Sequence, residues 1–134
     1  MATRSIIAKL DDKGVQAIYC HNDGYLSNNG KILDQHYQNE VKVDNLIAQG
    51  DASSLKDTIK DTIFYHRDRG EDNKEAVNLN NETKLLEHAF ESCDAEVVYM
   101  FAYGSWYVYD NSNKIGDSSY QFIELEEALY NVLA

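Results

Sequence analysis

The sequence predicts an α+β fold in which an antiparallel sheet, built from two hairpins, is packed by about four helices. Three observations carry this reading. Two short runs rich in β-branched residues, 4–10 and 15–21, flank the turn sequence Asp11-Asp12-Lys13-Gly14. A second strand-like pair, 96–102 and 106–109, is broken by Tyr103-Gly104-Ser105. Between and after these hairpins, apolar residues recur at helical spacing. Hairpins at both ends with helices between them fit an antiparallel sheet covered on one face by helices.

The elements follow in order. In 15–21, Val15, Ala17, Tyr19 and His21 alternate with Gln16, Ile18 and Cys20, the period of a strand. Gly14 supplies the positive φ that the preceding turn needs. Residues 21–30 are rich in Asn, Asp and Gly and predict a loop. From Lys31, the residues Ile32, Leu33, His36 and Tyr37 predict a helix. A second helix runs over 39–49, with Asn39 as N-cap, Val43, Leu46 and Ile47 on one face, and Gly50 at its C-terminal end. Residues 51–61 are polar and turn-rich, 62–66 predict a short strand, and 67–73 a loop. The polar stretch 74–80 completes a segment, 67–80, expected to be mobile. Asn81 caps a helix through Cys93 whose apolar stripe is Leu85, Leu86, Ala89, Phe90 and Cys93. After the second hairpin, 110–119 predict a polar loop and 120–123 a last short strand. Leu125, Ala128, Leu129, Val132 and Leu133 predict a terminal helix.

The chain has 134 residues, of which 43% are apolar and none is proline. That suits a single domain, 1–134, with a true core. No apolar run approaches the roughly 20 residues needed to span a bilayer. No charged-then-apolar leader opens the sequence, so a cytoplasmic location is expected. Cys20 and Cys93 fall in no metal-binding spacing and are expected to be reduced and buried. The net charge is −11. Residues 1–67 carry 8 Lys/Arg against 9 Asp/Glu, whereas 68–134 carry 4 against 14. Such an acidic half disfavours nucleic acid and anionic membranes and favours a basic partner.

Three groups of residues can carry function. His21, Asp23 and Tyr25 follow a strand, where Asp23 can orient His21 as a base, share a metal with it, or simply form a turn. Arg67, Asp68, Arg69 and Glu71 can grip an anion with guanidinium forks or pair among themselves. Tyr99, Tyr103, Trp106, Tyr107 and Tyr109 crowd the second hairpin, either as a partner-binding face beside Glu87 and Glu91 or as core. No phosphate-loop, dinucleotide, nucleophile-elbow or zinc-protease motif is present.

Four stretches together resemble a family of small proteins encoded by phages and prophages. They are Ala2-Thr3-Arg4-Ser5; Ile18 to Tyr25 (IYCHNDGY) with Asn29-Gly30 and Leu33; His36-Tyr37 leading to Leu46-Ile47, Gly50-Asp51 and Ser53-Ser54-Leu55; and Tyr65-His66-Arg67-Asp68-Arg69-Gly70-Glu71. They cover about the first half of the chain. The family usually has tryptophan where this chain has Asn22. The resemblance implies phage origin, and small phage proteins of this kind often block a host defence component, as anti-CRISPR proteins do.

The expected function is therefore that of an accessory inhibitor, not an enzyme. It would need no cofactor and no metal, and would bind a basic host defence protein, through an acidic face that imitates nucleic acid. A homodimer through the aromatic hairpin is expected as well. Two alternatives stand beside it. One is a nucleotide-sequestering protein using Arg4, His21, Tyr25, Arg67 and Arg69. The other is a metal-dependent hydrolase around His21 and Asp23.

Overall fold

Strand β1 (Ser5–Asp11) lies inside the sheet with its hydrogen-bonding groups engaged on both sides. On one side it pairs antiparallel with β2 (Gly14–Cys20), in a register that sets Ser5 against Cys20 and Asp11 against Gly14. Gly14 takes φ +114°, and the Asp11 carboxylate accepts the Lys13 N–H to close the turn. On its other side β1 pairs parallel with β6 (Val97–Ala102), from Ser5–Val97 to Lys9–Phe101. A computed structural model provides these coordinates and describes residues 3–110 and 122–133.

The remaining elements extend the sheet outward. A π-helical turn at Leu26–Gly30 runs into α1 (Lys31–His36), and α2 (Glu40–Ala48) follows. Asn39 caps α2 by accepting the Lys42 N–H, and Gly50 follows it at φ +83°. Strands β3 (Ala52–Ser54) and β4 (Ile63–Phe64) add to the far side of β2, ahead of α3 (Tyr65–Arg69). Strand β5 (Val77–Leu79) pairs with the first half of β2. Helix α4 (Glu82–Glu87), capped by Asn81, continues as a π-helical turn at His88–Ser92. Strands β7 (Ser105–Asp110) and β8 (Ile123–Glu124) close the other side, and α5 (Leu125–Leu133) follows. The order is β4-β3-β2-β1-β6-β7-β8, with β5 beside β2.

Both hairpins form, and the fold is α+β, but the sheet is mixed rather than antiparallel. β1–β6 and β2–β3 are parallel pairs. Helices also cover both faces, not one. Ile7, Ile18, Tyr99, Phe101 and Val108 point to one face with α1, α2 and α5. Ile6, Ala8, Val98 and Met100 point to the other, beneath Leu85, Leu86 and Ala89. Strand β6 is accordingly buried at all six positions, as a strand covered on both faces must be.

Three further expectations change. Residues 65–69 are helical, because the Asp68 carboxylate accepts the Phe64 N–H at the start of the turn and Gly70 closes it in the left-handed region. Part of the predicted 21–30 loop is the Leu26–Gly30 turn. Within 67–80, Val77–Leu79 is tied to the sheet. The loop predicted over 110–119 falls, beyond Asp110, outside the described residues, as do Tyr120 and Gln121 of the last predicted strand.

Tyr99 is fully buried, and its hydroxyl donates to the Gly24 carbonyl at 2.6 Å. Losing that bond leaves a buried carbonyl without it. Tyr99→Phe is expected to lower unfolding stability by about 1–2 kcal/mol in urea titration. Unchanged stability would mean that this bond contributes nothing to the fold.

Candidate functional site

The aromatic hairpin belongs largely to the core. Tyr99, Trp106 and Tyr109 are buried and Tyr107 is half-buried. The Trp106 Nε1 donates to the Tyr37 carbonyl at 2.8 Å, and its ring meets Phe101 edge-on at 5.3 Å. Tyr109 packs between Phe90 and Phe122. The reason is the cover on both faces of the sheet, which buries these rings. Only Tyr103, at the turn of the described hairpin, stands out, 88% exposed. Glu87 and Glu91 are exposed on the α4 side, on the opposite face from α1 and α5.

Beside Tyr103 lies a cleft of about 170 Å³. Its walls are Asp34 and Gln38 from the α1 region, Glu124 from β8 and Glu126 from α5. Phe101, Trp106, Gly104 and Ser105 complete it. Among the described residues, no lysine or arginine lines it. The Asp34 carboxyl is held above its ordinary pKa, first by burial and then by the charge of Glu126. The volume lies below the roughly 300–1,000 Å³ of small-molecule pockets and suits the head of one basic side chain. Sequence reasoning missed Asp34, Gln38, Glu124 and Glu126, because some 90 residues separate the two pairs and no local spacing joins them.

A second polar region lies at the other end of the sheet. Tyr19 and His21 leave β2 there, and the Tyr19 hydroxyl meets His21 Nδ1 at 2.8 Å. Asp23 therefore does not orient His21. It sits in a turn at φ +56°, where its carbonyl accepts the Asn28 side-chain amide and the Asn29 N–H. Tyr25 is 43% exposed beside this turn. Arg4 bridges to Asp94 at 3.1 Å and bears electrostatically on the Tyr19 phenol.

The two arginines expected to act together have separate fates. Arg67 binds the Asp68 carboxylate and the carbonyls of Ile59, Lys60 and Thr62, and stacks on Phe64. It holds the chain in place, and its hydrogen bond to Asp68, with that of the Phe64 N–H, keeps the Asp68 carboxyl below its ordinary pKa. Arg69 instead lies over the Tyr65 ring at 5.2 Å and reaches Ser53 Oγ at 3.4 Å.

Asp51 fills the gap between β3 and β5. Its carboxylate accepts the Tyr19 N–H, its own N–H donates to the Lys74 carbonyl, and its carbonyl accepts the Tyr65 N–H. Burial raises its pKa. Cys20 is buried, but Cys93 is only half-buried, with Sγ 3.4 Å from His88 Nε2. Burial and the nearby Asp51 charge raise the Cys93 pKa, so the group is a thiol at neutral pH and a poor nucleophile. Among the described residues, no three His, Cys, Asp or Glu side chains are arranged to hold a metal ion. No described helix is long and apolar enough to cross a membrane.

Comparison with known proteins adds no relative: no family model, no curated protein and no solved structure matches the chain.

The raised Asp34 pKa has a sign that can be checked. The folded state holds the Asp34 proton more tightly than the unfolded state does. Between the ordinary and the raised value, folded stability therefore increases as pH falls and is lost as pH rises. Asp34→Asn should keep or raise the melting temperature at neutral pH and flatten its rise on mild acidification. A variant less stable at neutral pH, with an unchanged pH slope, would contradict this.

Proposed function

We propose that this chain is an interaction protein that captures a basic side chain of a partner protein in the cleft between α1, α5 and the β6–β7 turn. The observation that carries the reading is a cleft with three carboxylates, no lysine or arginine among its described lining residues, and an aromatic floor. An incoming ammonium or guanidinium relieves the repulsion between Asp34 and Glu126, and can lie against the Trp106–Phe101 pair. Tyr103 supplies an exposed aromatic next to it, the type of residue that anchors protein interfaces.

The net charge of −11 supports the same reading at longer range, since it speeds encounter with a basic surface. Among the described exposed carboxylates of the second half, Glu82 and Glu87 of α4 and Glu126 and Glu127 of α5 lie on opposite faces of the sheet. That division favours one charged cleft over a whole face imitating nucleic acid. The likeness to phage-encoded proteins supports a host defence component as the partner.

The test is affinity capture from a lysate of a defence-carrying host, comparing wild type with Asp34→Asn/Glu126→Gln. Wild type should recover a basic protein at low salt and lose it at high salt. At about 1 kcal/mol per carboxylate, the double variant should bind that protein roughly 10- to 30-fold more weakly. Equal recovery by both proteins would exclude the cleft, and no salt-sensitive partner would exclude the reading as a whole.

A further inference from the structure

We propose that Arg4, His21, Arg69 and Lys74, gathered around the Tyr19 and Tyr65 phenols, form a site for the phosphate group of a small nucleotide-like ligand. This inference does not rest on the acidic cleft, which lies at the opposite end of the sheet. Strand register fixes that separation: Phe101 is level with Lys9, whereas Cys20, one residue before His21, is level with Ser5.

The four cationic or imidazole groups come from four parts of the chain. Arg4 precedes β1, His21 follows β2, Arg69 ends α3, and Lys74 lies before β5. Arg69 and Lys74 both point at the Tyr65 ring, at 5.2 and 5.7 Å from its centroid. Arg4 and Tyr65 both act electrostatically on the Tyr19 phenol, which joins the two sides of the patch.

Their present partners are few. Arg69 is exposed and has no carboxylate partner among the described residues, only the Ser53 hydroxyl and the Tyr65 ring. Arg4 is held by Asp94, whose side chain is 90% exposed. Such a bridge is weak and readily exchanged. His21 uses Nδ1 on Tyr19, so Nε2 is left to face a ligand. Lys74 interacts electrostatically with Asp51, whose carboxylate also accepts the Tyr19 N–H.

Guanidinium forks suit phosphate oxygens, and the Tyr65 phenol offers a further donor. Arg67 is not part of the site, because its guanidinium is engaged by three carbonyls and Asp68.

The experiment is a thermal-shift and calorimetric titration of the intact chain with ATP, pyrophosphate and adenosine at constant ionic strength. ATP and pyrophosphate should raise the melting temperature, because a ligand of the folded state stabilises it. Adenosine should not. Tighter binding of ATP than of pyrophosphate would add recognition of the nucleoside to that of the phosphate. Arg69→Gln and Arg4→Gln should each weaken binding at least 10-fold while leaving the unliganded melting temperature within a few degrees. Lys13→Gln, on the distant β1–β2 turn, should leave binding unchanged. The proposal is overturned if neither anion stabilises the protein at millimolar concentration. It is equally overturned if Lys13→Gln weakens binding as much as Arg69→Gln does.

Discussion

The parallel pairing of β1 with β6 is the constraint on which the rest of the structure depends. β1 is already committed to β2 through the short hairpin turn. Its other edge accepts a strand some 90 residues later in the chain. That pairing joins the amino-terminal hairpin to the aromatic hairpin and makes one continuous sheet of the two. It also puts β6 at the centre, buried at every position. Both faces of the sheet must then be covered, which sets α1, α2 and α5 on one side and α4 on the other. A parallel neighbour needs a long crossover, and here the whole middle of the chain supplies it.

Local features were legible in the sequence where local chemistry decides them. The Asp11–Gly14 turn, the Asn39 and Asn81 caps and the glycine after α2 are all where residue type requires them. The mixed sheet was not legible, because alternation in β1 is the same whether its neighbour is parallel or antiparallel. β3 and β5 were missed for a different reason. Each is three residues long, and β3 (Ala-Ser-Ser) has little strand character of its own. They are held by β2 and by Asp51, whose carboxylate replaces the missing ladder partner at Tyr19. The tyrosines read equally as a partner face or as core, and Tyr99 and Tyr109 bury their rings.

Charge is divided along the molecule as well as along the sequence. Lys9 shows how the core tolerates it. Burial opposes its charge, yet the hydrogen bonds it donates to Asp44 and Glu40 at 2.6 and 3.0 Å prevail and raise its pKa. The ammonium thus ties β1 to α2. At the β6–β7 end, carboxylates converge without such a cation among the described residues. At the Cys20 end, arginine, lysine and histidine gather around two tyrosines. A fold satisfied throughout by its own pairs would not leave both arrangements at its surface. The carboxylate cleft is the more sharply shaped of the two, and it agrees in sign with the net charge.

The most direct test of that cleft is a titration of isotopically labelled protein with a short arginine-rich peptide, followed residue by residue by NMR. The account predicts saturable shifts at Gln38, Gly104, Ser105, Glu126 and the Trp106 indole N–H, abolished by Asp34→Asn/Glu126→Gln. Shifts centred instead on Glu82, Glu87 and Glu91 of the α4 side, or spread evenly over all exposed carboxylates, would contradict it.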